Sequence, residues 1–262
     1  MVKFDLHIHS SYSSEGLMDT KTLIKVAIRR GLNGIAITDH NTIKGGLKAK
    51  EYETKNFKLI IGSEIMTNKG EVIGLCLSEE IRSKDMIEVI SEIKAQNGIV
   101  VIPHPFDKMR QSALHPTDEE VHLIDCIEGF NSRCIFQKYN EKAIEYANKY
   151  RLPIVAGSDA HFANEIGNAG IITESEDLQE AIMKNNIEIF GKRSMLVNHA
   201  FTKGLKKWRK IRYVLHISNP CQYRTIIFDY WTFYVTIQPP QNQLANIDFD
   251  VIGTSDYQLM EK

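Results

Sequence analysis

The chain has 262 residues, a formal net charge of −1, and 25% charged and 43% hydrophobic residues. That is the make-up of a soluble globular protein long enough for one large domain, and it excludes a disordered chain or one drawn to nucleic acid or membrane by overall charge. Cys76, Cys126, Cys134 and Cys221 show no CxxC spacing, no apolar run is long enough to span a bilayer, and the start lacks a basic-then-apolar leader, so a cytoplasmic protein without a disulfide framework is expected.

Residues 4–10, FDLHIHS, alternate apolar and polar side chains, so a strand would put Asp5, His7 and His9 on one face and Phe4, Leu6 and Ile8 on the other. Asp19 or Thr20 can cap a helix whose Leu23, Ile24, Ala27 and Ile28 recur at helical spacing, with Gly31 as the stop. A strand at Ile35–Ile37, a helical stretch to about Tyr52, and apolar runs Leu59–Ile61 and Val72–Leu77 follow. Met86, Ile87, Ile90 and Ile93 mark a helix closed by Gly98. Strand-like Ile99–Ile102 and Cys126–Phe130 precede a helix from about Lys138 to Tyr150 and a last run, Ile154–Ala156. The alternation, to about residue 191, predicts parallel βαβ units in a barrel or an open sheet.

Beyond it the pattern changes. A basic run at 203–212 holds Trp208, and TIIFDYWTFYVTIQPP is rich in β-formers, which predicts a β-rich appendage or a segment laid on the outside of the main domain. The basic run reads as a solvated helix face before it reads as an oligonucleotide contact with Trp208 stacked on a base.

Strand ends carry the functional signal. The first strand ends in His7 and His9, the second runs into Asp39 and His40, and Leu59–Ile61 leads to Glu64. Ile99–Ile102 leads to His104, and Ile154–Ala156 to Asp159 and His161. In parallel α/β folds the carboxyl ends of the strands gather on one rim, where sites are built. Five strand ends delivering imidazoles and carboxylates there point to divalent ions such as Zn, Mn or Fe, and to more than one of them.

The stretches DLHIHSSYSSEG, GIAITDHNTIKG, IGSEI, IPHPFD and GSDAH resemble, in order and over residues 1 to 195, the successive motifs of the PHP (polymerase and histidinol phosphatase) family, in its short phosphoesterase branch. The resemblance implies an α/β fold, a distorted TIM-like (β/α)7 barrel at 1–195 with a C-terminal extension at 196–262, and two or three divalent ions at the rim. It gives His7, His9, Glu64 and Asp159 to a first ion, His40 and His161 with the loop acid Glu15 to a second, and Glu64 and His104 to a third. Glu15 stands where many relatives have aspartate. Ile73 falls where longer relatives carry a histidine, so the third ion has lost a ligand.

The function implied is hydrolysis of a small phosphomonoester, a nucleotide or a short oligonucleotide by a metal-activated water, with Asp159, Asp39 and His161 as the catalytic candidates. Asp39 also suits the simpler task of orienting a ligand histidine. Arg110 and Arg133 follow strand ends and are candidates for holding substrate phosphate, with Lys108 as a weaker one, and Asn131 at a strand end is a weak candidate to reach the metals. His115, His122, His199 and His216 read as surface or packing residues. Hydrolysis of an amide or lactone, or a metal-stabilised binding module, are the other readings.

Overall fold

A computed structural model describes residues 1–175, 177–205, 207, 226–229 and 232–235. Trp208, His216 and Cys221 lie outside the described residues, as does most of the 203–212 run. Two compact units divide at Trp208 and Arg209. Of the second, the described part is an antiparallel hairpin, Ile226–Asp229 with Thr232–Val235.

The first unit is a nearly closed, barrel-shaped nine-stranded sheet with six helices. Its strands are β1 (Val2–Ile8), β2 (Gly34–His40), β3 (Lys58–Thr67), β4 (Gly70–Leu75), β5 (Ile99–Ile102), β6 (Cys126–Asn131), β7 (Ile154–Gly157), β8 (Ala169–Thr173) and β9 (Glu188–Gly191), in the order β7-β6-β5-β4-β3-β2-β1-β8-β9. Helices α1 (Thr20–Arg29), α2 (Lys44–Lys50), α3 (Met86–Ala95), α4 (Gln137–Tyr150) and α5 (Leu178–Met183) alternate with them, and α6 spans 196–205. Asp19 and Asp85 cap α1 and α3 by accepting backbone N–H groups of the first turn.

The outer edge of β1 is shared between two neighbours. Its first half pairs antiparallel with β8. Past its end, the His9 N–H donates to the Ala160 carbonyl at 2.9 Å and the Ala160 N–H to the His7 carbonyl at 3.3 Å, which draws the end of β7 against β1. This is what brings GSDAH beside HIH.

The expected barrel is present, with β8 and β9 pairing beyond β1 in the same sheet. Two expectations need correction. β4 runs antiparallel to both β3 and β5; the Asn68-Lys69 turn that joins it to β3 is far too short for a crossover. Phe4, Leu6 and Ile8 do not share one face. Phe4 and Leu6 pack with Ala36, Ile73, Val101 and Val155, whereas Ile8 packs with Leu23, Ala27, Ile35 and Ile37, across a register shift between Asp5 and Ile8.

The first unit also runs past residue 195. Helix α6 is tied to the barrel by Thr202, which accepts from Arg133 Nη2 at 2.8 Å, and by Asn198, paired with Asn164.

Candidate metal centre

The five strand-end histidines and their carboxylates meet at the rim. His7 Nε2 and His9 Nε2 lie 3.2 Å apart. Glu64 Oε2 is 3.5 and 3.4 Å from them, and Asp159 Oδ1 is 3.7 and 3.3 Å from them. Two donors on one tetrahedral ion, each about 2.0–2.1 Å from it, stand roughly 3.3 Å apart. The observed separations fit atoms arranged for a common cation. Two imidazole nitrogens facing each other also have at most one hydrogen bond to share, so a shared cation explains their approach better than a proton does.

Three further groupings lock onto this one. His9 joins His40 and His161, His7 joins Glu64 and His104, and His40 joins Glu64 and Glu71. Within each, the donor atoms are all within 4.8 Å, and the groups share His7, His9, His40 and Glu64 as common members. Glu15 reaches the second grouping from its loop, 3.7 Å from His40 Nε2 and 3.5 Å from His161 Nε2. His161 Nε2 is buried and makes no hydrogen bond, as expected of a lone pair kept for a cation.

The backbone is bent to aim these groups. His104 and Asp159 take φ of 31° and 54°, a left-handed conformation unusual outside glycine. Gly157 is required by close approach, since a Cβ there would sit 2.3 Å from the Cβ of His7.

A supporting set of polar residues orients the donors. Glu128 faces His7 Nδ1 at 3.0 Å, so that Nε2 is left to the centre. Glu128 also accepts from the His104 N–H at 2.7 Å and from Asn131 Nδ2 at 2.9 Å. Asp39 accepts from the Ser10 N–H, Ser10 Oγ and Ser13 Oγ at 2.6–2.8 Å, and Ser13 Oγ in turn lies 3.3 Å from His9 Nδ1. Asp39 therefore stands behind His9, outside the groupings that converge on the centre. Asp5, expected beside His7 and His9, instead accepts from the backbone N–H groups of Ser158 and Gly167.

The two arginines part company. Arg110 Nη2 donates to Asp159 Oδ2 at 2.5 Å, and its side chain keeps 23% exposure at the rim. Arg133 is buried, donates from Nη1 to both oxygens of Glu165 at 2.8 and 3.0 Å, and is held by Thr202. Glu165 also accepts from the His161 and Phe162 N–H groups, so Arg133 braces the loop that carries His161. Its guanidinium is spent there and is not presented to a phosphate.

Electrostatics follow from burial set against neighbours. Burial favours neutral His7, but Glu128, Asp159 and Glu64 raise it well above its ordinary pKa. Burial works against ionised Asp159, yet Arg110 and His7 hold it well below the usual carboxylate range. Glu64 is likewise held low, against burial, by His7 and His40. Burial, with the charges of His161 and His40, pushes His9 down to about 3, which keeps it a neutral imidazole, the form able to bind a metal. Burial and the charge of Glu64 push Glu71 up to about 7.

Sequence reasoning missed Glu71, Glu128 and Glu165. A strand-end search reaches none of them: Glu71 begins a reversed strand, Glu128 is inside β6, and Glu165 follows the last parallel strand. His199, on α6, is half-buried, and burial and the charges of Arg133 and Arg110 push it down to about 4.

The description of the PHP domain family matches residues 5–200. This chain is a PHP-domain protein. An uncharacterised protein of Methanocaldococcus jannaschii is 37% identical over 200 residues, covering 72% of this chain and 80% of the relative. Among solved structures, a two-domain Bacteroides vulgatus protein described as containing a predicted PHP-like metal-dependent phosphoesterase is similar at 21% identity and TM-score 0.62, over 73% of this chain and 65% of that one. A Bifidobacterium adolescentis protein described as a candidate metal-dependent phosphoesterase is similar at 19% identity and TM-score 0.54, over 71% of this chain and 96% of that one. These likenesses establish the TIM-like barrel of PHP proteins. No helix among the described residues is long and apolar enough to cross a membrane.

Proposed function

We propose that this PHP protein is a metal-dependent phosphoesterase acting on a small phosphomonoester, a nucleotide or a short oligonucleotide at a di- or trinuclear centre. The observation that carries the reading is the interlocking of four donor groupings through shared residues, which is the arrangement that ions a few ångströms apart require. His7, His9, Glu64 and Asp159 hold one ion, His40 and His161 with Glu15 a second, and Glu64 with His104 a third. Divalent cations of the Mn, Zn or Fe class supply Lewis acidity toward the phosphoryl oxygens and the attacking water.

The chain's own residues do the rest. Arg110, fixed by Asp107 and Asp159 and open to the rim, offers a guanidinium to a non-bridging phosphate oxygen. Its charge favours a phosphate over a neutral amide or lactone. Asp159, one oxygen held by Arg110 and the other turned to the centre, orients the attacking water, and His161, whose Nδ1 donates to the Asp159 carbonyl, turns Nε2 toward the second ion and the leaving oxygen beside it. Asp39, through Ser13, keeps the His9 ring in orientation. Lys108, exposed on the Arg110 loop, adds positive charge near the entrance.

The test is metal analysis of the full chain, then a screen of phosphorylated metabolites, nucleotides and short RNAs in Mn²⁺, Zn²⁺ and Fe²⁺, with amide and lactone panels in parallel. Phosphate release that is lost in Arg110→Ala supports the reading. Loaded metal with hydrolysis only of amides or lactones, or of nothing, overturns it.

A further inference from the structure

We propose that Glu71 is a ligand of the centre, and that it makes one subsite oxygen-rich and so biased toward a hard cation such as Mn²⁺. The inference rests on the metal-dependent reading above and adds to it a residue that no motif resemblance assigns.

Position is the first ground. Antiparallel pairing sets Ile73 opposite Glu64 and Glu71 opposite Met66, so Glu71 lies one layer nearer the rim than Ile73 on the same strand face. Ile73 packs with Phe4, Leu6, Leu75 and Val101. The lost third-ion ligand expected at Ile73 is therefore supplied two residues earlier, by a strand that starts at the rim where its neighbours end.

Geometry is the second. Glu71 is 4% exposed, and its oxygens lie 3.7 Å from His40 Nδ1 and 3.6 Å from His104 Nε2. Its N–H donates to the Ser112 carbonyl at 2.8 Å, which fixes the strand at this point. A second carboxylate beside Glu64 in a buried pocket is costly unless a cation or a proton lies between them.

Chemistry is the third. The His40, Glu64 and Glu71 grouping offers two carboxylates and one imidazole, whereas the His9, His40 and His161 grouping offers three imidazoles with a single carboxylate, Glu15, beside two of them. Carboxylate-rich sites suit Mn²⁺, and imidazole-rich sites suit Zn²⁺ and Fe²⁺. One rim then carries two subsites of unlike taste, joined through His40.

Equilibrium dialysis of the full chain against Mn²⁺ alone and Zn²⁺ alone, with ions per chain counted, tests this without an activity assay. Glu71→Gln should bind one Mn²⁺ fewer per chain than the wild type, or bind its weakest Mn²⁺ at least about tenfold less tightly. Glu71→His should recover the ion count and shift the preference from Mn²⁺ toward Zn²⁺, with far-UV circular dichroism reporting the fold. An unchanged Mn²⁺ count and affinity in folded Glu71→Gln overturns the proposal, as does a folded Glu71→His with unaltered preference. A wild type that takes up neither ion fails the metal-dependent reading itself, so the two failures are told apart.

Discussion

The wall of the barrel and its rim are made from the same strands and are opposites in energy. On the wall, Leu23, Ile24 and Ala27 of α1 pack on Ile35 and Ile37 of β2, and each buried aliphatic side chain contributes about 1.5–3 kcal/mol with no partner beyond its neighbours. At the rim, His7, His9, Glu64, His104 and Asp159 are at most 2% exposed. Buried ionisable groups cost stability unless paired or bound to a cation. The wall holds the fold together, and on the proposed reading the rim gains its stability from bound cations.

The sharpest way to break that comparison is to remove the cation or a donor. Chelation should lower the melting temperature of the wild type. Asp159→Ala should abolish both that chelator response and turnover, the latter by more than the roughly 10–100-fold that loss of a mere supporting residue costs. A chelator-insensitive wild type would sink the claim that the rim depends on metal.

Next come two substitutions that should strike stability and spare the centre. Leu23→Ala leaves a cavity in the wall and should cost about 2–5 kcal/mol in denaturant unfolding, with ion count unchanged. Arg133→Ala strands Glu165 in the interior and should cost about 3–5 kcal/mol. Arg110→Ala should instead act on substrate binding, raising KM until phosphate release is lost at substrate levels that serve the wild type. Should Arg133→Ala leave stability alone and raise KM, then Arg133 is a phosphate ligand after all.

A gentler lesion separates donors from their supports. Glu128→Ala removes the acceptor behind His7, and metal affinity should fall by about 10–100-fold while the ion count at saturation holds. The mildest effect concerns His199, whose pKa is lowered to about 4 from its ordinary 6.5. Its neutral burial stabilises the fold above pH 6.5, and that contribution is lost as pH falls toward 4. Wild-type and His199→Gln melting temperatures, measured across that range, should converge at the acid end.

How far the sequence could be read follows the same division. Helices α1, α3 and α4 were legible because their apolar spacing is a local signal, to which the Asp19 cap of α1 adds another. Strands β1 to β7 were legible as apolar runs, and the strand-end donors His7, His9, His40, Glu64, His104, Asp159 and His161 lie in the cluster. The roles of Asp39 and Arg133 were not legible, because a carboxylate or guanidinium beside a strand end looks the same whether it faces substrate or a buried partner. Glu71 escaped notice because the rule that sites follow strand ends presumes parallel strands, and β4 is reversed.

The linear order of residues determined the barrel's elements and the set of imidazoles and carboxylates offered at the rim, since apolar periodicity and donor chemistry are properties of short segments. Tertiary structure alone decided which donors meet, because the β1–Ala160 closure and the reversed β4 join residues more than a hundred positions apart or turn a strand's start toward the site. Partnership between buried charges is settled by distance, and distance is set by how the whole sheet closes.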